Sequence, residues 1–187
     1  MKPVARQEFW NLPNSLTVAR CAAVPVVVVL LMFPGPFWCT VAMLFFVAAA
    51  ITDLLDGYLA RKLHMESTIG AFLDPLADKL LVMAAMVMLI PLGRIPAWMV
   101  VIFLAREITI TALRAIAASE GVIIAAGSLG KYKTVFQTTA MGFLIFHYEL
   151  HGIDAHSVGI LLLWGALIYT IVSGFTYLRG FVRLTVT

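Results

Sequence analysis

The chain has 187 residues, 62% hydrophobic and only 12% charged, with a strongly positive mean hydropathy, which excludes an ordinary soluble domain and points to an integral membrane protein. The formal net charge of +3 is modest and no basic run is interleaved with aromatics, so no nucleic-acid partner is expected and membrane lipids are the neighbours. Two cysteines, Cys21 and Cys39, sit in apolar stretches without metal-ligand spacing, which argues for packing rather than a disulfide framework or a zinc site.

Residues 1–12 carry Phe9 and Trp10 together with Lys2, Arg6 and Glu8; they read as a short amphipathic segment at the membrane interface, a disordered tail being the alternative. This long polar lead, with no clear cleavage site after the first apolar run, argues for an uncleaved first span over a secretory signal. A membrane-crossing helix needs roughly 20 mostly apolar residues. By that measure, Pro, Gly and charge divide residues 13–187 into six spans: Pro13 to Phe33, Phe37 to Leu63, Ser67 to Ile90, Pro96 to Ser119, Leu129 to Tyr148, and Ala155 to Arg183. The breaks FPGPF, PLGRIP and HYELHGIDAH read as short turns, and EGVIIAAGSLGKYK as a longer connection. Unbroken apolar runs argue against a membrane barrel. The expected fold class is therefore all-α, a polytopic membrane bundle of six transmembrane helices.

Six spans place both termini on one side. With the N-terminus inside, Lys2, Arg6, Arg20, Arg61, Lys62, Lys131, Lys133, Arg179 and Arg183 gather at cytoplasmic ends and Arg94 alone lies opposite, so the positive-inside rule sets both termini in the cytoplasm. The four histidines are scattered, His64 in an inner turn and His147, His151 and His156 on the far side, and read as solvated or interfacial.

The second and third spans meet in DLLDGYLARKLHMESTIGAFLDPLADK, residues 53–79. At about 100° per residue, Asp53, Asp56, Gly57 and Ala60 fall within an arc of roughly 100° on one helix, and Ser67, Gly70, Asp74 and Asp78 within about 80° on the next. The short turn between makes the helices antiparallel neighbours, so four carboxylates converge near the cytoplasmic surface. An ionised Asp at a helix centre costs on the order of 2.5 to 3.5 kcal/mol, and four together repel one another unless cations intervene. Oxygen ligands in this number suit Mg²⁺ or Mn²⁺, and a pair of such ions is a clamp for phosphoryl transfer. Gly57, Ala60 and Gly70 leave room for a phosphate beside the backbone, Pro75 frees the carbonyl of Ala71, and Arg61 offers a fork to a phosphate or an acid. The alternative is a buried ionic network of these acids with Arg61, Lys62 and Lys79.

Asp53, Asp56, Gly57, Ala60, Arg61, Gly70, Asp74 and Asp78 reproduce a D-x2-D-G-x2-A-R-x8-G-x3-D-x3-D pattern, eight positions over 26 residues. In this the chain resembles the CDP-alcohol phosphotransferases. NLPNSLTVAR, AREITITALRAIAASEG and GKYKTVFQT extend the resemblance over most of the chain, toward the bacterial phosphatidylglycerophosphate synthases in particular. The resemblance implies transfer of the phosphatidyl group of CDP-diacylglycerol to glycerol 3-phosphate with release of CMP, in the bacterial inner membrane, by a homodimer. It implies that Asp53, Asp56, Asp74 and Asp78 hold two divalent ions, with Asp78 also the general base on the acceptor hydroxyl. Thr52, Gly57, Arg61 and Ser67 are the candidates for the cytidine and phosphate contacts, with Asp53 beside them and Asn14 and Thr17 closing the pocket. An N-cap is the other role open to Ser67, a cap or turn role to Asn14 and Thr17, and an ion pair to Arg61.

A glycerol 3-phosphate acceptor brings a dianion, and the cations outside the pattern are Arg106 and Arg114 in the fourth span and Lys131 and Lys133 at the start of the fifth. Phosphate binding is the expectation for all four. Ion pairing is the alternative for the arginines, and a cytoplasmic helix end for the lysines. Other acceptors within the same family, inositol phosphate or phosphatidylglycerol, and a divalent-cation transporter outside it, are the rival functions.

Overall fold

The structure is a computed structural model that describes residues 12–33, 35–63, 68–119, 128–150 and 152–185. It has two compact units, Met1–Leu92 and Gly93–Thr187. Residues 1–11, and with them the expected interfacial segment up to its last residue, lie outside the described residues.

The first unit holds α1 (Leu12–Leu31), α2 (Pro36–Leu63) and α3 (Thr68–Leu89). Met32 and Phe33 turn the chain after α1, and Pro36 opens α2, where its missing N–H removes nothing from the helix. Phe33, Phe37 and Trp38 cluster at this turn, with ring centroids 5.8 Å apart for Phe33 and Trp38 and 5.2 Å for Phe37 and Trp38. On α2, Cys39, Ala42, Phe46 and Ala49 are buried at helical spacing, a single stripe that faces the neighbours. Ala77, Leu81, Ala85 and Leu89 do the same on α3. α1 packs against both α2 and α3, and α2 and α3 touch each other. Cys39 is fully buried and forms no disulfide with another described residue, in keeping with a packing role.

The second unit holds α4 (Ala97–Ser119), α5 (Ser128–Phe146), strands β1 (Glu149–Leu150) and β2 (Ile153–Asp154), and α6 (Ala155–Thr185). α6 packs along α5 and against α4. Its closeness to α5 depends on glycine. A Cβ at Gly159 would lie 2.6 Å from Leu144 Cγ and 3.2 Å from the Leu144 backbone nitrogen, and one at Gly165 would lie 3.1 Å from Phe136 Cδ1. These two glycines are thus used between helices of one chain.

All six expected helices are present, with ends within about two residues of expectation, the scatter normal for helix termini. α5 stops at Phe146 because His147 takes a left-handed backbone, φ 67°, a common helix ending. The turn expected at HYELHGIDAH is more structured than anticipated, since β1 and β2 pair antiparallel as Glu149 with Asp154 and Leu150 with Ile153. Asp154 then caps α6, accepting from the backbone N–H groups of His156 at 3.0 Å and Ser157 at 3.1 Å. Arg94 is buried in the same unit and donates to the carbonyls of Leu144 at 3.2 Å and Ile145 at 2.7 Å, so it serves the open C-terminal end of α5. His147 and His156, expected as solvated or interfacial, are half-buried against each other, ring centroids 4.8 Å apart.

Among the described residues one helix, Ala155–Val182, is long and apolar enough to cross a membrane, and Thr17–Leu31, Pro36–Thr52 and Lys79–Leu89 are shorter apolar helices. Large apolar side chains point outward in both units, among them Leu44, Val87, Val101, Leu161 and Phe175, more than a water-facing surface normally carries.

Candidate active site

The eight-position pattern falls on two neighbouring helices of the first unit. Asp53, Asp56, Gly57, Ala60 and Arg61 lie in the last part of α2, and Gly70, Asp74 and Asp78 in the first part of α3. α2 runs without a break to Leu63, and α3 continues through Pro75. The regular backbone on either side is what keeps acids three or four residues apart on one face of a helix. The side chains of Asp53, Asp56, Arg61, Asp74 and Asp78, the Asn14 side chain, and the whole of Ser67 lie outside the described residues. Chemically the donor set consists of carboxylates, with no thiol or imidazole at the pattern positions, and it fits Mg²⁺ or Mn²⁺ rather than zinc.

Two flanking residues can be placed fully. The Thr52 hydroxyl donates to the Ala48 carbonyl at 2.8 Å, one turn back on its own helix, so its proton is spent locally and its oxygen remains an acceptor. Thr17 is fully buried on α1 (0% exposed), the helix that packs against both acid-bearing helices.

Sequence reasoning overlooked Arg20. Counted among the cytoplasmic charges, it is 2% exposed and lies three residues after Thr17, so the two share a buried face of α1. The i, i+3 spacing from a threonine already singled out, within an apolar run, is the signal that pointed to it.

In the second unit the structure sorts the four candidate cations. Lys131 and Lys133 are two residues apart, about 200° around the helix; Lys131 is exposed and Lys133 is buried. Lys133 Nζ donates to Glu107 Oε1 at 2.5 Å, and Arg106 Nη1 donates to the same oxygen at 2.6 Å. Arg106 Nη2 donates to Ser173 Oγ at 3.1 Å, and Ser173 Oγ donates to the Thr170 carbonyl at 3.2 Å. α4, α5 and α6 are thereby tied at one point by a largely buried polar cluster. The ion pair held open as an alternative for Arg106 does form, and its carboxylate is the sequence neighbour Glu107. Side-chain length bridges the 100° between them.

Arg114, also on α4, stands apart from that cluster, with its guanidinium carbon 5.9 Å from the centroid of the Tyr177 ring on α6, a cation–π distance. Gly174 lies between these contacts on α6, where a Cβ would meet Arg106 Cγ at 3.4 Å. Among the described residues, Arg106 Nε, Thr170 Oγ1 and the Tyr177 hydroxyl are buried without a hydrogen-bond partner. Glu107, Thr170 and Ser173 were not foreseen as members of the cluster, nor Tyr177 as the partner of Arg114. For Glu107 the REI sequence beside an arginine deep in a span was the available signal; for the α6 residues there was none.

Residues 10–172 match the CDP-alcohol phosphatidyltransferase family. The chain is 38% identical over 181 residues to a CDP-diacylglycerol–glycerol-3-phosphate 3-phosphatidyltransferase of Bacillus subtilis, covering 90% of this chain and 94% of that protein. An enzyme of the same name from Rickettsia bellii is 37% identical over 171 residues, covering 91% and 94%. A cardiolipin synthase (CMP-forming) of Oryza sativa is 41% identical over 152 residues, but this covers 74% of this chain and 46% of that protein. With the match spanning most of its length and the eight-position pattern complete on α2 and α3, the chain belongs to the CDP-alcohol phosphatidyltransferase family of enzymes.

Proposed function

We propose that the chain is a phosphatidylglycerophosphate synthase, which joins CDP-diacylglycerol to glycerol 3-phosphate and releases CMP. The observation that carries this reading is the near-full-length similarity to two enzymes named for that reaction. In this reading all six helices cross the bacterial inner membrane, both termini and the site are cytoplasmic, and the enzyme is a homodimer. The outward apolar side chains of both units support the membrane placement.

Asp53, Asp56, Asp74 and Asp78 are the residues that would hold two Mg²⁺ or Mn²⁺ ions. When bound, such ions supply charge neutralisation to the pyrophosphate of the lipid donor and to departing CMP. Thr52, Gly57, Arg61 and Ser67 contact the cytidine and phosphates, with Asn14 and Thr17 closing that pocket from α1. Arg106, Arg114, Lys131 and Lys133 attract the acceptor phosphate. In this reading Arg106 and Lys133, which meet on Glu107, make the near contact, and exposed Lys131 has an outer, steering role. Asp78 takes the proton of the acceptor hydroxyl as its oxygen forms a bond to the β-phosphorus, while the bond from that phosphorus to the CMP oxygen breaks. Positioning supplies most of the acceleration.

The test is CMP release by purified enzyme with Mg²⁺ or Mn²⁺ and a chelator control. Turnover should require glycerol 3-phosphate and should not be supported by serine, inositol phosphate or phosphatidylglycerol. The rice relative gives phosphatidylglycerol specific standing as the second acceptor; faster turnover with it would replace the substrate assignment. The transporter alternative falls with membership of an enzyme family.

A further inference from the structure

The cluster around Glu107 has features that an ion pair formed only for stability would lack. Arg106 Nη1 and Lys133 Nζ share a single oxygen, at 2.6 and 2.5 Å, so the two cationic nitrogens lie no farther apart than those two lengths laid end to end. Like charges that close repel strongly in a poorly solvated setting, and Glu107, 7% exposed, is what allows them to stay there. Buried ion pairs generally add little stability over apolar packing.

The polar groups around the pair are also incompletely used. Arg106 spends Nη1 on Glu107 and Nη2 on Ser173, leaving its buried Nε–H unpartnered among the described residues. One turn before Ser173 on α6, Thr170 is fully buried (0% exposed) and its Oγ1 also has no partner among the described residues. A buried donor left unpaired costs free energy, and such groups cluster where a ligand completes the set. The ligand chemistry matching two adjacent cations, a spare guanidinium N–H and a hydroxyl is a phosphate monoester, whose several oxygens can accept from all of them.

From this we infer that Glu107 is a positioning residue for the phosphate of the acceptor. It gathers Arg106 from α4 and Lys133 from α5 into one pair and fixes the guanidinium so that its Nε–H, with the Thr170 hydroxyl, receives a phosphate monoester. The inference rests on the acceptor reading given under Proposed function, and adds to it the carboxylate that builds the pocket and the α6 hydroxyl that completes it.

The experiment is steady-state kinetics of the full-length enzyme in detergent or nanodiscs with Mg²⁺, varying glycerol 3-phosphate and CDP-diacylglycerol separately. Glu107→Gln should raise KM for glycerol 3-phosphate by about tenfold or more, the effect of loosening a charge-assisted contact, while KM for CDP-diacylglycerol stays within about twofold. Glu107→Asp, which keeps the charge, should fall between Glu107→Gln and the unaltered enzyme, and it gives the same reading if the Gln variant does not fold. A lower melting temperature with both KM values unchanged, or equal increases in both, would overturn the inference. Arg106→Gln separates the two levels. If it raises KM for glycerol 3-phosphate and the Glu107 variants do not, the role of Glu107 alone fails. If Arg106→Gln leaves that KM unchanged, the acceptor reading itself fails.

Discussion

The candidate residues of the two units differ in charge and in how they are brought together. In the first, α2 and α3 bring acids in a pattern that repeats every three or four residues; in the second, α4 and α5 bring cations that sequence spacing does not relate to one another, and α6 adds the Ser173 hydroxyl. A periodic set on one helix is brought to one face by the helix itself. A set spread over three helices is assembled by packing, and here two of its cations meet on one carboxylate oxygen of Glu107. In the proposed function the first set does chemistry and the second recognition, which predicts that substitutions in the two units will fail in different kinetic parameters.

The largest effect should come from the first unit. Asp78→Asn, which removes the proposed base without changing shape, should lower kcat by roughly 10²- to 10⁴-fold with little change in melting temperature, measured by CMP release and thermal unfolding. Retained turnover would remove Asp78 from its role. Next in size, Arg106→Ala or Lys133→Ala in the second unit should raise KM for glycerol 3-phosphate about 10- to 100-fold, corresponding to the ~1.5–3 kcal/mol of a hydrogen bond to a charged group, with a smaller change in kcat. Equal behaviour of the Asp78 and Arg106 variants would erase the division between the units.

Arg94 sharpens the comparison within the second unit. It is buried like the cationic cluster, yet it donates to two backbone carbonyls at the end of α5 and has no proposed part in catalysis. Arg94→Leu leaves those carbonyls short of donors and should destabilise the protein by about 1–3 kcal/mol, seen as a lower melting temperature with both KM values intact. If KM for the acceptor moved instead, buried arginines in this unit could not be sorted by what they touch.

The smallest effect belongs to Asp154. The Ser157 hydroxyl, followed by the backbone N–H groups of His156 and Ser157, holds its carboxyl below the ordinary 3.8. A depressed carboxyl contributes stability that is present above its unfolded pKa and is lost as pH falls through the folded one. Asp154→Asn should therefore cause a small loss of melting temperature at neutral pH that shrinks below about pH 4, because the original carboxyl is then protonated too. A difference that persists undiminished at pH 3 would mean that its charge has no part in the cap.

Much of this molecule was readable before any coordinates. Apolar runs interrupted by FPGPF and PLGRIP marked six helices, because in so hydrophobic a chain Pro, Gly and charge are the only available stops. The acid pattern was readable for the same reason that the helices were, since i, i+3 and i+4 spacing alone fixes a shared face. The small hairpin was not legible, because two-residue strands have no period to detect and depend on the turn at Gly152, φ 80°. The burial of Arg20 was missed because a count of charges at helix ends carries no information about which side of a helix meets its neighbours, although the i, i+3 spacing from Thr17 signals a shared face.

What the sequence determined by itself was local: helix positions, the carboxylate face of α2 and α3, and through their spacing the enzyme family. Only the tertiary structure decided that Lys133 and not Lys131 turns inward, that Arg106 and Lys133 share Glu107, and that Gly159 and Gly165 serve α5 within the chain. The physical reason is one of range. A helix fixes the angle between its own residues, whereas which of two faces is buried depends on the surface it packs against, and that surface is contributed by residues tens of positions away.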